Sequence, residues 1–293
     1  MLAFKLFFSF LFLLIQPMSE KYHTPAYQLF DKEGEIINFE DIAKQLTDAD
    51  IVLFGELHNN PICHWLQLRT TKKLYETHGE NLVLAAEMFE TDDQLILNEY
   101  LSNKIQEKHL EAEAKLWNNY KTDYAPLVNF AKDNKLKFVA SNIPRRYASL
   151  VAREGLEALD SLDKEAKKLI APLPVKVDLE LPGYKNMLDM MGSHGGDNSR
   201  ASNFAYAQAI KDATMANSIL DNLSKGQHLL HFNGAYHSNN FEGIMWYLQK
   251  GKPKLNIVTI SSIEQESIDA LEEKNHKLAD FVIAIPSDMT KTY

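Results

Sequence analysis

The chain carries one cysteine, Cys63, in 293 residues, so no disulfide can form within it. No cysteine follows its N-terminal apolar run, which excludes a lipid anchor of the bacterial lipoprotein kind at that point. Basic residues are in deficit, since 31 Lys and Arg against 40 Asp and Glu leave a formal net charge of −9. Nucleic acid is therefore not an expected partner, because binding it needs clustered cations that displace phosphate counterions. Long apolar runs are missing as well: Leu6 to Ile15 falls short of the ~20 residues that span a bilayer. The chain also shows no low-complexity tract and no short-period repeat.

What is present is an ordinary globular composition, with enough apolar residues for one large core or a core with one inserted subdomain. Lys5, the apolar run, and Gln16-Pro17-Met18-Ser19 have the order of a secretory signal, expected over residues 1–19, leaving 20–293 as a single domain. Export without disulfides fits the periplasm or cell envelope. Short apolar strands alternate with helices after a surface lead-in from Glu20 to Phe39. Strands are expected at Ile51–Phe54, Asn81–Ala86, Leu136–Ala140, Gln227–Phe232, Leu255–Ile260 and Phe281–Ile285. Helices are expected at Pro61–Thr77, from Thr91-Asp92-Asp93 to about Leu101, and at Tyr124–Asn134, Asn203–Leu223 and Phe241–Gln249. That alternation implies an α/β fold, a mostly parallel central sheet flanked by helices. The regularity fails over about residues 147–200, read as an inserted helical lid.

In an open parallel sheet, ligands bind outside the carboxyl ends of the strands. Four segments fall there: Gly55-Glu56-Leu57-His58, Glu87-Met88-Phe89-Glu90, Asn142-Ile143-Pro144-Arg145 and Asn233-Gly234-Ala235-Tyr236-His237. The two Gly-x-x-His segments are weak evidence as a count. Their placement is stronger, since each glycine sits where a strand must turn and the following side chains face a shared mouth. Glu56, His58, Glu87 and His237 are the catalytic candidates, able to act as acid and base, and His58 with His237 could hold a divalent metal. The competing reading makes the histidines structural and Glu56 a helix cap. Glu90 is expected to be solvated, His64 structural or exposed, and Cys63 a small buried hydrophobe.

Gln208, Asp212, Met215 and Ile219 share one face of the long helix, so Asp212 lies on the side that should be apolar. A buried carboxylate there needs a partner, either a site histidine, Arg145 or backbone. Arg145-Arg146 could grip a carboxylate or propionate bidentately, or simply begin an exposed helix. The lid holds Tyr184 and His194, whose side chains suit ferric iron; Tyr206 and Tyr147 compete with Tyr184.

Gly-Glu-x-His at the first strand, a second-strand Glu, Asn-Ile-Pro-Arg, Gln208-x-x-x-Asp212-x-x-Met215-Ala216 and Gly-Ala-Tyr-His occur in that order between about Asp50 and Ile260. The set resembles the ChaN family of haem-binding proteins, in a wider group with the TraB, Tiki and erythromycin esterase proteins. The resemblance implies haem as cofactor or cargo, held at a homodimer interface with Tyr as iron ligand and His nearby. It also implies an envelope role in haem and iron uptake, with transport components as partners. The lipidation cysteine of lipoprotein members is missing here. Three expectations stand: a haem-binding envelope protein with Tyr184, His194, Arg145 and Asp212 around the cofactor; a metal-dependent or Glu/His-based hydrolase; and an interaction module without a small ligand.

Overall fold

The computed structural model describes residues 25–192 and 198–293. The expected signal at 1–19 and the candidate ligand His194 lie outside the described residues. In chain order the elements are β1 (Gln28–Asp31), β2 (Ile36–Ile37), α1 (Phe39–Asp48), β3 (Ile51–Glu56), α2 (Pro61–His78), β4 (Leu82–Glu90), α3 (Gln94–Leu101), α4 (Glu107–Glu113) and α5 (Ala125–Asp133). Then come β5 (Lys137–Asn142), α6 (Arg145–Glu154), α7 (Lys164–Lys167), α8 (Pro182–Gly192), α9 (Asn198–Asn222), β6 (His228–Gly234), α10 (Ile244–Gly251), β7 (Ile257–Gln265) and β8 (Phe281–Pro286).

The strands form one sheet in the order β2-β1-β8-β7-β3-β6-β4-β5, parallel from β8 to β5. Every residue of β3 is buried, and β4 is buried from Leu82 to Phe89. Such strands have no polar face to give to water, so helices must cover both sides. Alternate residues accordingly enter opposite layers. Val52, Phe54, Leu84 and Phe232 pack with Leu46 of α1, Leu66 of α2 and Leu127 of α5. Ile51, Leu53, Val83 and Leu229 pack with Met215 and Ile219 of α9 and Leu248 of α10.

Three stretches differ from expectation. The lead-in is not only surface: β1 pairs antiparallel with both β2 and β8, and Leu29 and Phe30 are both buried because the two faces of the sheet are covered here. Asn38 then caps α1 through a capping box with Asp41. The segment Thr91–Asp93 forms a 3-10 turn rather than a side-chain cap for α3, since the Asp93 carboxylate accepts instead from the Lys115 backbone N–H at 3.1 Å. The stretch expected as a lid begins with a regular helix, α6, whose Ala148 and Val151 pack with Leu159, Ile170, Ala207 and Ile210 as a further core cluster.

The order of strand addition positions the site. β6 comes after β3 and β4 in the chain and lies between them in the sheet. It places Asn233 beside Gly55, Gly234 beside Glu56, and Phe232 beside Ala86. The carboxyl ends of β3, β4 and β6 therefore open together.

Candidate functional site

Two glycines let these strand ends approach. A β-carbon on Gly55 would lie 2.9 Å from the Ala235 α-carbon and 3.0 Å from the Ile260 carbonyl oxygen. A β-carbon on Gly234 would lie 2.6 Å from His58 Nε2 and 3.5 Å from Glu87 Oε2. The first glycine thus admits the backbone of the second motif, and the second admits the imidazole of the first. This close approach brings Glu56, His58, Glu87 and His237 into one cluster.

On the β3 side, Glu56 is buried and its carboxylate takes three hydrogen bonds: His58 Nδ1 donates at 2.9 Å, the Tyr124 hydroxyl at 2.7 Å, and Gln67 Nε2 at short range. Burial alone would raise its pKa, but the hydrogen bond from His58 and the nearby His64 and Tyr124 outweigh it and lower the value. His58 is the member that reaches solvent, its side chain 36% exposed. Its ring meets Trp117 edge-on at 4.8 Å between centroids, and its carbonyl accepts from Asn119 at 2.9 Å. Burial would depress the His58 pKa, yet Glu56 and Glu87 hold it above the ordinary value.

On the β6 side a buried relay runs through four residues. The Tyr184 hydroxyl donates to Asp212 Oδ2 at 2.6 Å, Asp212 Oδ1 accepts from His237 Nδ1 at 2.6 Å, and His237 Nε2 lies 3.3 Å from Glu87 Oε1. Glu87 Oε2 then accepts from the Gly234 backbone N–H at 2.7 Å. Burial opposes charge on His237, but Glu87 and Asp212 push its pKa up to about 10, so it is imidazolium at neutral pH. Glu87, buried but facing His237 and His58, stays well below the usual carboxylate range. Beneath the cluster, buried His231 is held near pKa 4 by desolvation and shares its ring nitrogens with Ser141 and Asn233 at 2.8 and 3.1 Å.

A cleft of about 910 Å³ opens over this floor. His58, Glu87 and His237 line its base, Trp117, Ile143, Ala148 and Phe204 supply apolar wall, and Arg145, Arg146, Lys115 and Lys211 supply cations. That size and mixture suit a small-molecule ligand.

The relay settles several residue positions. Asp212 has its partners in His237 and Tyr184, not in Arg145. Tyr184 is 3% exposed and its hydroxyl is committed to a carboxylate, so it does not open on the cleft as a ligand for iron. Burial and the neighbouring Asp212 also push its phenol upward, away from tyrosinate. In this arrangement His237 turns Nδ1 to Asp212 at 2.6 Å and Nε2 toward Glu87 at 3.3 Å. Among the described residues no group of three or more His, Cys, Asp and Glu side chains is disposed to hold a metal ion. Glu90, expected to be solvated, is only 15% exposed at its side chain and lies 3.4 Å from Lys115. His64 is buried against the His58 carbonyl and Asp123, and Cys63 is fully buried, its thiol pushed up to about 12 by desolvation.

Several site residues carry no local signal. Tyr124 lies far from Glu56 in sequence, and Trp117 with Asn119 reaches the cleft from one segment and Lys211 from another. Gln67 was open to discovery by the reasoning that singled out Asp212. It is a polar residue within the buried stripe Cys63, Gln67, Thr70, Leu74 of α2.

Residues 42–248 match the family described as haem-binding uptake, Tiki superfamily, ChaN. Among solved structures, one describing cofacial haem binding to ChaN of Campylobacter jejuni superposes with a TM-score of 0.67, at 20% identity over 89% of this chain and 97% of that one. A mutant of the erythromycin esterase EreC, in its open conformation, gives a TM-score of 0.46 at 12% identity, over 82% of this chain and 77% of that one. The chloroplastic protein RETICULATA-RELATED 5 of Arabidopsis thaliana is 26% identical over 128 residues, 42% of this chain but 17% of that much longer protein.

Proposed function

The chain belongs to the ChaN family of haem-binding uptake proteins in the Tiki superfamily, and from that premise we propose that the cleft over the strand ends carries haem as cargo in envelope haem and iron uptake. The observation that supports this reading is the cleft's composition. Trp117, Ile143 and Phe204 form an apolar wall that would suit a macrocycle, Arg145 and Lys211 are cations that would suit its propionates, and His58 lines the same cleft. His58 has the build of an iron ligand, since its Nδ1 is held by the Glu56 carboxylate while Nε2 is turned away from that bond. Tyr184 and Asp212 support the cleft from behind rather than touching iron.

Hemin titration of the purified protein tests the proposal. A Soret shift saturating at one haem per chain is expected, weakened at least tenfold by His58→Ala. Absence of any saturable Soret change sinks it. A second copy facing the same cleft belongs to the same reading, and light scattering with and without hemin reads it as a doubling of mass. Cell fractionation tests the envelope location expected from the N-terminal segment.

A second reading, a Glu/His hydrolase, is favoured by the His58–Glu56 pair standing beside the His237 imidazolium. His58 would take a proton from water while His237 offsets developing negative charge. Ester hydrolysis that disappears in both His58→Ala and Glu87→Gln, in protein that binds no hemin, would favour it over the first.

A further inference from the structure

The segment after β8 is tied to the first Gly-x-x-His turn rather than left on the surface. β8 runs parallel to β7, and β7 to β3, so β8 too ends at the mouth where the site lies. Ser287 then donates its N–H to the Gln265 carbonyl at 3.0 Å, and Met289 packs against the main core. Beyond it, Lys291 and Thr292 reach three consecutive residues of the turn. The Thr292 N–H donates to the Asn59 carbonyl at 2.9 Å. Lys291 forms an ion pair with Glu264, whose Oε1 also accepts from the side chain of buried Asn60 at 3.3 Å, and Asn60 in turn caps α2. The Thr292 hydroxyl donates to Asp123 Oδ2 at 3.0 Å. That same oxygen accepts from Asn119 Nδ2 at 2.7 Å and lies 3.3 Å from His64 Nε2. Those two nitrogens also hold the His58 carbonyl, at 2.9 and 3.1 Å. Tyr293, next in the chain, is 66% exposed and lines the cleft.

We infer that Thr292 is a positioning residue for His58, acting through Asp123, and that residues 291–293 form a strap that completes the site on the β3 side. His58 is held at two places, its Nδ1 by Glu56 and its carbonyl by Asn119 and His64. A side chain that works at a site keeps its direction only if the groups behind it are themselves fixed. Asn119 and His64 are shared between the His58 carbonyl and Asp123, which is buried and has no water to replace a lost donor. With the Thr292 hydroxyl gone, that carboxylate draws the two shared donors toward itself and loosens the His58 carbonyl. Asp123 keeps two partners in that state, so the protein still folds. The hemin arm of the test rests on the proposed function; the orientation of His58 does not.

The test compares wild type with Thr292→Val and Thr292→Ser by proton NMR of the haem-free protein and by hemin titration. The hydrogen-bonded Nδ1 proton of His58, assigned by its absence in His58→Gln, is expected downfield in wild type and Thr292→Ser, and broadened by exchange with water in Thr292→Val. The Nδ1 proton that His237 gives to Asp212 is the internal control and should hold its position in all three proteins. Hemin affinity should fall about three- to tenfold in Thr292→Val, part of the worth of one hydrogen bond to a charged group, and return in Thr292→Ser. An unchanged His58 proton in Thr292→Val, its absence from wild type, or no rescue by Thr292→Ser overturns the inference. So does loss of both imidazole protons together with a melting temperature several degrees lower, since the strap would then serve the fold as a whole. A broadened His58 proton with unchanged hemin affinity upholds the strap and removes His58 from the haem reading. If hemin does not bind wild type, the haem reading fails and the His58 proton alone decides the strap.

Discussion

Asp212→Ala is the most informative single change, because one buried carboxylate serves two donors. Asp212 is 1% exposed and accepts from His237 and Tyr184, each at 2.6 Å. Its removal leaves a buried imidazolium with Glu87 as its remaining carboxylate and a phenol hydroxyl with no acceptor. Breaking a buried ion pair from one side costs about 3–5 kcal/mol, and in a domain of this size each kcal/mol lowers the melting temperature by about 2 °C, giving roughly 6–10 °C. Tyr184→Phe removes only the hydroxyl, a hydrogen bond to a charged group, and should cost about 1.5–3 kcal/mol. The two losses share an acceptor, so the double variant should be more stable than their sum by about 0.5–3 kcal/mol. Circular dichroism melts at pH 7, with urea titrations for the free energies, read all three proteins. A melting temperature for Asp212→Ala within 2 °C of wild type, or strict additivity with Tyr184→Phe, would refute the relay.

The relay also sets a pH profile. His237 has a folded pKa of about 10 against an ordinary 6.5, so its contribution is complete below about 6.5 and is lost as the pH rises through 10. Glu56 and Glu87 are depressed from an ordinary 4.5, so theirs is present above that value and lost on acidification. Stability should peak between those limits, and His237→Gln should flatten the alkaline limb between pH 6.5 and 10 in melts across pH; an unchanged limb contradicts the assignment. The two motif glycines should differ under substitution by alanine. Gly55→Ala collides with backbone at 2.9 and 3.0 Å and should unfold or melt more than 5 °C lower, whereas Gly234→Ala meets the movable His58 ring and should fold with weakened hemin binding. Cys63 should resist iodoacetamide at pH 8 in the native state and react in urea, since it is fully buried with its thiol pushed up to about 12. Rapid native alkylation would contradict its burial.

The α/β alternation was legible because strands buried on both faces must be written as unbroken apolar runs, as in Ile51–Phe54 and Leu82–Ala86. The Gly-x-x-His segments were legible for a related reason. A glycine ending such a run marks a backbone approach, and two of them mark two strands that converge. Asp212 announced its need for a partner by standing on the buried face of α9. Which partner it has was not legible, because Tyr184, Asp212, His237 and Glu87 come from α8, α9, the turn after β6, and β4, and only the insertion of β6 beside β4 brings them together. The same holds for Tyr124 and Gln67, which meet Glu56 through the packing of α2 and of the turn before α5. The strand β1 was missed because Leu29 and Phe30 are adjacent rather than alternating, a pattern that reads as neither half-buried strand nor helix.

The position of Tyr184 changes what the segment before α9 does. The first turn of α8 is tied to the site at three points: Gly183 donates its N–H to Glu242 at 2.7 Å, its carbonyl accepts from the Tyr236 hydroxyl at 2.6 Å, and Tyr184 reaches Asp212. A β-carbon on Gly183 would lie 3.0 Å from Glu242 Oε2, so a larger residue there would press on that carboxylate. Tyr236 belongs to the second Gly-x-x-His segment, which therefore points its tyrosine to α8 and its histidine to Glu87. A tyrosine spent on such an anchor cannot also be the iron ligand without breaking the relay that keeps His237 charged. Metal binding at Tyr184 would have to repay both the proton on a phenol already raised by Asp212 and the exposure of a buried ion pair. His58 lines the cleft with its Nδ1 held by Glu56 and its Nε2 against Gly234, and a metal there would have to displace the proton that Glu56 and Glu87 favour.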